Sequence, residues 1–285
     1  MIKNNKYKIL TPTTFVIFGA TGDLVRRKLT AALFNLYRKG FLPDIFQIIG
    51  FSRRDYTDEQ FRNFLVEEAL KNINTNYSKE DLTAFLTKIT YQKGYFVDIN
   101  AYKNIRQRLN ENEYGLNMCA NKLYYLAVPP NFYQEILNNL SISGLTISCS
   151  DETGWTRILI EKPFGRDIET AVKLDEILAK LFNEEQIYRI DHYLAKDTIR
   201  NIIFFRFSNV IFEPIWNSNF IEKVEIKLLE KEDVENRGPY YDDIGALRDV
   251  GQNHLLQMLA LVTMERPESL EDGSIRKKRA EVFNS

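Results

Sequence analysis

The stretch Thr14-Phe15-Val16-Ile17-Phe18-Gly19-Ala20-Thr21-Gly22-Asp23-Leu24 decides the fold. Its first five residues are β-branched or aromatic, the pattern of a strand buried on both faces, and Gly19 ends that strand. After it, leucines recur at helical spacing, at Leu24, Leu29, Leu33 and Leu36. Gly40 stands where a helix C-terminal cap is expected, and residues 46–50 form a second apolar run. The order strand, glycine turn, helix, strand predicts a βαβ unit.

Similar signals continue along the chain. Thr57 and Ser78 each have a polar partner three residues on, which predicts two helix N-termini. Further buried strands are predicted over Lys122 to Val128 and Arg157 to Glu161, with a helix between them that runs to about Leu140. This alternation predicts an α/β Rossmann coenzyme domain with a parallel, doubly wound sheet.

Beyond Asp197 the pattern changes. We expect a strand from Val224 to Leu229 and an uninterrupted helix from about Ile244 to Glu265. With 285 residues the chain is long enough for two cores. We therefore predict a dinucleotide-binding domain over residues 1–197 and a partial substrate and dimerisation domain over residues 198–285.

Composition narrows the class of protein. The net charge is −1, so there is no overall positive field to attract nucleic acid or an anionic membrane. Residues 1–10 contain no long apolar run, which speaks against a signal peptide or a membrane helix. Cys119 and Cys149 lack CxxC spacing and have no neighbouring histidine or cysteine, which argues against a zinc site or a disulfide framework. We expect a cytoplasmic protein without bound metal.

The glycine turn predicts a phosphate site. A turn between a buried strand and a helix directs backbone N–H groups and the positive helix end toward one point. Gly19 and Gly22 permit close approach there, although a glycine pair is also typical of a tight βα turn without a ligand. At the end of the second strand stands Ser52-Arg53-Arg54. An arginine at this place accommodates a 2′-phosphate, so NADP is the expected coenzyme, with NAD as the alternative, unless these are ordinary surface arginines.

Proton chemistry has two candidate groups, because the chain contains just two histidines, His192 and His254. His192 lies in a short strand-to-helix passage that also contains Asp191, Tyr193 and Lys196, a set suited to an anionic, hydroxylated ligand. His254 lies in the long helix beside apolar residues, where a purely structural histidine is the ordinary interpretation. Lys162 follows a buried strand, at the edge where open α/β sheets bind ligands.

Together these motifs make the chain resemble the glucose-6-phosphate dehydrogenase family. They are Gly-Ala-Thr-Gly-Asp-Leu at 19–24, Glu-Lys-Pro-Phe-Gly at 161–165, Arg-Ile-Asp-His-Tyr-Leu-x-Lys at 189–196, and Asp-Val-x-Gln-Asn-His-Leu-Leu-Gln-Met at 249–258. The resemblance begins at about Thr13 and extends over essentially the whole chain. It implies a Rossmann domain followed by an α+β domain with a large antiparallel sheet used for dimerisation. The implied partners are glucose 6-phosphate and another copy of the chain, in a homodimer or homotetramer.

The resemblance also implies the reaction and its residues. Glucose 6-phosphate is oxidised to 6-phosphogluconolactone, the first step of the oxidative pentose phosphate pathway, and hydride passes from C1 to NADP. His254 is the implied general base, and Asp191 orients it. Residues implied to bind the substrate are Lys162, His192, Tyr193, Lys196, Glu230 and Asp249. Residues implied to bind the coenzyme are Gly19, Thr21, Gly22, Asp23, Leu24, Arg53, Tyr133 and Lys162.

Departures from the family leave two rival interpretations. Ala195 and Asp197 flank the lysine where the family has glycine and glutamate, and the loop Arg237 to Tyr240 is less glycine-rich. The family also continues beyond Ser285, so we expect a fragment with an incomplete α+β domain. The alternatives to the family's reaction are a catalytically dead or fragmentary nucleotide-binding module and another NAD(P)-dependent sugar oxidoreductase, such as the glucose–fructose oxidoreductase type.

Overall fold

The structure, a computed structural model, describes residues 11–67, 77–149, 154–165, 167–229, 238, 242 and 245–285. The chain forms two compact units, Met1–Ile190 and Asp191–Ser285. The boundary expected after Asp197 lies within the second of these units. Within the described residues, no helix combines the length and the apolar composition needed to span a bilayer.

The first unit contains a six-stranded parallel sheet. Its strands are β1 (Thr13–Phe18), β2 (Phe46–Ser52), β3 (Ile89–Lys93), β4 (Asn121–Leu126), β5 (Thr156–Glu161) and β6 (Ile187–Ile190). They lie in the order β3-β2-β1-β4-β5-β6, which is the doubly wound order of dinucleotide-binding domains. The predicted Rossmann domain is thereby confirmed, including the four strands that the sequence placed.

Helices cover both faces of this sheet. They are α1 (Thr30–Arg38), α2 (Asp58–Leu65), α3 (Lys79–Leu86), α4 (Ile99–Leu116), α5 (Tyr133–Ile142) and α6 (Ile168–Leu181). Residues of β1 alternate between two cores: Val16 and Phe18 pack on the side of α4 and α5, while Ile17 packs on the side of α1 and α2. Burial on both faces explains the continuous apolar runs of the central strands.

Local capping explains where several of these helices begin and end. Thr57 accepts a hydrogen bond from the Gln60 N–H at 3.2 Å, and the Gln60 side chain accepts one from the Thr57 N–H, so the predicted capping box is confirmed. Ser78 accepts from the Asp81 N–H at 2.9 Å and begins α3 as predicted. Gly40, with φ of +69°, follows the end of α1, as its sequence position predicts.

The regular secondary structure described in the second unit is helical, and residues 221–229 have no regular secondary structure. Along the chain, α7 (Asp197–Phe207) comes first. A π-helix (Leu247–Leu255) then continues directly into α8 (Leu256–Thr263), and α9 (Asp272–Asn284) follows. Phe207, Leu261 and Met264 form its buried core. The long helix predicted to begin near Ile244 is confirmed over its described part, although its first half has π rather than α geometry.

Two sequence expectations need correction. The strand predicted over Val224 to Leu229 is not formed, because no described segment of the second unit pairs with residues 221–229, and a strand requires a hydrogen-bonded neighbour. The antiparallel sheet is therefore not found among the described residues. The argument against a disulfide framework is also wrong for this pair, since Cys119 and Cys149 form a disulfide.

The cysteines meet because of the sheet order, which their spacing does not reveal. Cys119 precedes β4 and Cys149 precedes β5, and these two strands are parallel neighbours. Parallel neighbours begin at the same edge of the sheet, so the two segments that lead into them lie side by side. Gly154, with φ of +70°, fits against both cysteines, because an added Cβ would lie 2.7 Å from the Cys119 Cβ.

We expect reduction of this disulfide to lower the free energy of unfolding by about 2–4 kcal/mol, because it closes a long loop in the unfolded chain. The cysteines are separated by 30 positions. Urea unfolding of the oxidised and the reduced protein measures the difference. In the control, Cys119→Ser, the same reductant should leave the midpoint unchanged. Identical midpoints for oxidised and reduced wild type would contradict the prediction.

Candidate active site

The glycine turn brings the backbone of β1 against that of β4. Gly19 has φ of +80°, and a Cβ added there would lie 2.5 Å from the Ala127 carbonyl oxygen. The Gly22 N–H donates to the Gly19 carbonyl at 2.8 Å, which closes the turn. The helical segment begins at Asp23 and continues through a π-helix (Val25–Leu29) into α1. The positive helix end therefore faces the carboxyl edge of the sheet beside β1, where a phosphate is favoured.

A crevice of about 440 Å³ opens at this edge. It lies where the strand order reverses, between β1 and β4, the place at which open α/β sheets bind ligands. Its lining combines the glycine turn, two arginines and a mostly apolar wall. The lining residues are Gly19, Thr21, Gly22, Ser52, Arg53, Arg54, Gly94, Tyr95, Phe96, Val97, Ala127, Val128, Pro129, Phe132 and Glu135. Such a mixture suits a nucleotide, which has a flat ring and charged phosphates.

Sequence reasoning missed the apolar wall of the crevice. Tyr95 and Val97 are exposed within it and follow β3, which the sequence analysis did not identify. The signal available was the short run Ile89-Thr90-Tyr91, followed by Gly94. Because loops after neighbouring parallel strands meet at one edge, identifying β3 would have placed Tyr95 beside the glycine turn.

Positive charge lies at the end of β2. Arg53 is exposed in the crevice, directly after the last residue of β2. The Arg54 guanidinium donates to the Tyr56 hydroxyl at 3.2 Å. The nearest acid in the sequence, Asp55, forms an ion pair with Lys93 at 3.0 Å. Because Lys93 neutralises the charge of Asp55, this loop repels an anionic group near the two arginines only weakly.

Asp23 and Leu24 occupy the first helical positions after the turn. The Asp23 carboxylate forms ion pairs with Arg26 at 2.7 Å and with Arg27 at 3.0 Å. An acid in the first turn of a helix interacts favourably with the helix dipole, and here it also orients two cations. The predicted coenzyme residues from Gly19 to Leu24 thus lie together at the start of one helix.

The end of β5 carries Lys162, whose peptide bond to Pro163 is cis. Tyr133 lies beneath this strand end rather than in the crevice. Its side chain is 1% exposed, and its hydroxyl donates to the Glu161 carbonyl at 2.9 Å. The Tyr125 hydroxyl donates to the Glu161 carboxylate. Burial raises the pKa of Tyr125, and the hydrogen bond to Glu161 raises it further. Both tyrosines position the residue before Lys162, a contact that the sequence does not reveal.

In the second unit, Asp191 and His254 lie side by side. The His254 Nδ1 is 3.0 Å from the Asp191 Oδ1, and His254 is 2% exposed. The same carboxylate oxygen accepts a hydrogen bond from the Tyr193 N–H at 3.0 Å. A carboxylate that contacts Nδ1 fixes the tautomer of the imidazole and directs Nε2 away from itself. This arrangement suits a general base.

The π-helix places Asp249 and His254 close along one face. In a π-helix hydrogen bonds join residues five positions apart, so residues with this spacing lie nearly one above the other. Asp249 is five positions before His254, and both are buried. In an α-helix the same spacing would turn the two side chains in different directions. Both residues thus lie in a stretch of π geometry, which is rare and is found frequently at functional sites.

Exposed basic groups surround this pair. The His192 ring centroid lies 4.8 Å from that of His254, and the Lys196 Nζ lies 3.6 Å from the Tyr193 ring centroid. Both His192 and Lys196 are exposed. A buried histidine that contacts a carboxylate, beside an exposed imidazole and an exposed ammonium group, can hold an anionic substrate and remove a proton from it.

The same groups also have the composition of a metal site. Ligand atoms of Asp191, His192 and His254 lie within 4.8 Å of one another, and two histidines with a carboxylate suit transition metals. The contact between His254 Nδ1 and Asp191, together with the ammonium of Lys196 nearby, favours proton transfer over binding of a cation. Glu230, the remaining predicted substrate residue, lies outside the described residues, as does most of the loop Arg237 to Tyr240.

Comparison with known proteins identifies the family. The NAD binding domain of glucose-6-phosphate dehydrogenase matches residues 16–201, and the C-terminal domain of the same family matches residues 203–285. Among named relatives, "Glucose-6-phosphate 1-dehydrogenase 6, cytoplasmic" of Arabidopsis thaliana is 41% identical over 280 residues, covering 95% of this chain and 53% of the relative. The Aggregatibacter actinomycetemcomitans glucose-6-phosphate 1-dehydrogenase is 44% identical over 269 residues, covering 94% and 53%.

Solved structures agree. Glucose-6-phosphate dehydrogenase in complex with its substrate glucose-6-phosphate superposes with a TM-score of 0.87 at 36% identity, covering 97% of this chain and 56% of that one. The enzyme from Mycobacterium avium gives 0.82 at 33% identity, covering 95% and 57%. The chain spans about half the length of the relatives it matches. With both family domains matched in order, the chain belongs to the glucose-6-phosphate dehydrogenase family.

Proposed function

We propose that this protein oxidises glucose 6-phosphate to 6-phosphogluconolactone with NADP as hydride acceptor. The contact between Asp191 and His254 carries the proposal, because it provides a buried, oriented base next to exposed cationic groups. Oxidation of the C1 hydroxyl requires a base to take its proton as hydride leaves the same carbon. A relative of known structure binds glucose 6-phosphate as its substrate, which supports this choice.

Each residue has a proposed role. His254 removes the proton from the C1 hydroxyl, and Asp191 holds its ring and stabilises the imidazolium. His192, Tyr193 and Lys196 bind the phosphate of the sugar, since imidazole, hydroxyl and ammonium groups can donate hydrogen bonds to a dianion. Three further residues are proposed to bind the sugar hydroxyls, namely Lys162, Glu230 and Asp249.

The crevice of the first unit fits a dinucleotide. Gly19 keeps open a backbone approach that a side chain would close, and Arg53 stands where a 2′-phosphate is expected. We propose that Gly19, Thr21, Gly22, Asp23 and Leu24 hold the pyrophosphate region and that Arg53 selects NADP over NAD. Tyr133 is also proposed to serve the coenzyme site, and its hydrogen bond to the Glu161 carbonyl supports the strand end that leads to Lys162.

The test is reduction of the coenzyme, followed by the absorbance of reduced nicotinamide. Purified chain is mixed with NADP and with either glucose 6-phosphate or glucose. Reduction with the sugar phosphate alone supports the proposal, whereas equal reduction with glucose supports another sugar oxidoreductase. Coenzyme binding without any reduction identifies a nucleotide-binding module instead.

We expect Arg53→Gln to weaken NADP binding about 10- to 100-fold, because a charged hydrogen bond to phosphate contributes about 1.5–3 kcal/mol. Binding of NAD, which lacks the 2′-phosphate, should change little and is the internal control. Titration of each coenzyme by calorimetry measures both effects. An equal loss for NADP and NAD would show that Arg53 supports the fold of the crevice rather than the choice of coenzyme.

We also propose a homodimer or homotetramer and a cytoplasmic location for the whole protein. The Arabidopsis relative is named as cytoplasmic, whereas a tobacco relative is named as chloroplastic. Size-exclusion chromatography with light scattering measures the number of copies, and a fluorescent fusion in the source cell shows the compartment.

A further inference from the structure

The ring of Tyr193 lies face to face with the ring of His254. Their centroids are 3.8 Å apart, and their planes differ by 17°. Both side chains are buried, with Tyr193 8% exposed and His254 2% exposed. The Lys196 Nζ is 3.6 Å from the Tyr193 centroid. Since the imidazole occupies one face of the phenol ring at nearly this distance, the ammonium must occupy the other face.

Asp191 links the two stacked residues. One of its carboxylate oxygens lies 3.0 Å from His254 Nδ1, and the same oxygen accepts from the Tyr193 N–H at 3.0 Å. The Tyr193 main chain and the His254 ring are therefore tied to one carboxylate. The Tyr193 ring then lies against the face of the imidazole, while the carboxylate meets its edge.

Edge and face contacts restrict different motions of a histidine. The χ2 torsion of histidine is broad, so a contact at one ring nitrogen still permits the ring plane to tilt. A face-to-face contact with a buried ring removes that freedom. His192 meets both rings edge-on, with centroid distances of 4.8 Å, and so limits lateral displacement.

We propose that Tyr193 is a positioning residue that fixes the ring plane of His254, so that Nε2 is presented to the C1 hydroxyl in one direction. This inference rests on the proposed function for its catalytic consequence. It adds a role to Tyr193 that uses the face of the ring, whereas phosphate binding uses the hydroxyl. A displacement of about 1 Å at a reacting group can lower the rate about 10²-fold, so fixing the plane has a measurable effect.

The two roles of Tyr193 separate in two variants. Tyr193→Phe retains the ring and removes the hydroxyl, so it should raise KM for glucose 6-phosphate and lower kcat much less than Tyr193→Leu does. Tyr193→Leu removes the ring and should lower kcat about 10²-fold. Phe207→Leu is the matched control, because it removes an aromatic ring from the core of the same unit and should leave kcat unchanged.

A spectroscopic measurement tests the stack without any turnover. The chain has two histidines, so its proton NMR spectrum contains two sets of imidazole signals, which His192→Gln assigns. In wild type, Tyr193→Phe and Phe207→Leu, the His254 ring protons should be shifted upfield by the ring current of the neighbouring aromatic ring. In Tyr193→Leu this shift should be lost.

The possible results separate the inference from the proposed function. An inactive wild type with upfield His254 signals contradicts the proposed function and leaves the stack supported. Unshifted His254 signals in wild type overturn the inference even if Tyr193→Leu fails to fold. A loss of kcat in Tyr193→Phe as large as in Tyr193→Leu also overturns it, because the hydroxyl and not the ring face would then matter.

Discussion

His254→Asn is expected to lower kcat by about 10²–10⁴-fold, the contribution of a positioned general base. The asparagine side chain matches the part of histidine nearest the backbone, but its amide cannot accept the proton of the C1 hydroxyl at neutral pH. Because His254 Nδ1 contacts Asp191, Nε2 is the nitrogen that we expect to take that proton. Since the phosphate-binding groups His192 and Lys196 are unchanged, the sugar phosphate should still bind with nearly its original affinity.

Steady-state kinetics together with calorimetry test this expectation. The dissociation constant of glucose 6-phosphate should change little while kcat falls, because a base acts in the transition state and contributes little to ground-state binding. Thr263→Ala is the control, since this exposed hydroxyl donates to the Leu259 carbonyl farther along the same helix. Full turnover in His254→Asn would refute the assignment of the base. A parallel loss of binding would indicate that His254 mainly shapes the substrate site.

The part of the fold that sequence predicts best is the part determined by local rules. The run into Gly19, the leucine spacing of the next helix and the capping box at Thr57 each act over a few residues, and the structure confirms them. Strand β3 was missed because it lies at the edge of the sheet, where Lys93 faces solvent and the apolar run is short. The disulfide between Cys119 and Cys149 depends on strand order and cannot be read from spacing.

In the candidate site too, sequence predicts which residues take part but not the contacts between distant segments. Family motifs named Asp191 and His254, but local sequence could not show that one carboxylate oxygen meets both His254 and the Tyr193 main chain. The stack of Tyr193 on His254 joins two segments that are distant along the chain. The resemblance implied a coenzyme role for Tyr133, but it could not show that the Tyr133 hydroxyl donates to the Glu161 carbonyl. Such contacts arise from packing, which residue spacing does not encode.

Gly19→Ala is expected to destabilise the first unit by at least about 2 kcal/mol and to abolish measurable coenzyme binding. Two causes add. An L-residue at φ of +80° is strained, and the new Cβ would lie 2.5 Å from the Ala127 carbonyl oxygen and 2.7 Å from the Val128 side chain. The carbonyl cannot easily move, because the Ala127 N–H donates to the Phe18 carbonyl at 3.0 Å. The turn itself must shift, and with it the N–H groups that face the crevice.

Gly115→Ala separates these local effects from the general consequence of replacing glycine. Gly115 lies in α4 of the same unit, its added Cβ meets no atom within 4 Å, and alanine there should raise stability by up to about 1 kcal/mol. Thermal unfolding and NADP titration of both variants make the comparison. If Gly19→Ala unfolds at the wild-type temperature but binds no NADP, the turn has shifted with little loss of stability. Glycine is then needed at this position only for close approach to the phosphates. Normal NADP binding by Gly19→Ala would contradict the prediction, because it would show that the coenzyme does not need the backbone of Gly19 in its present position.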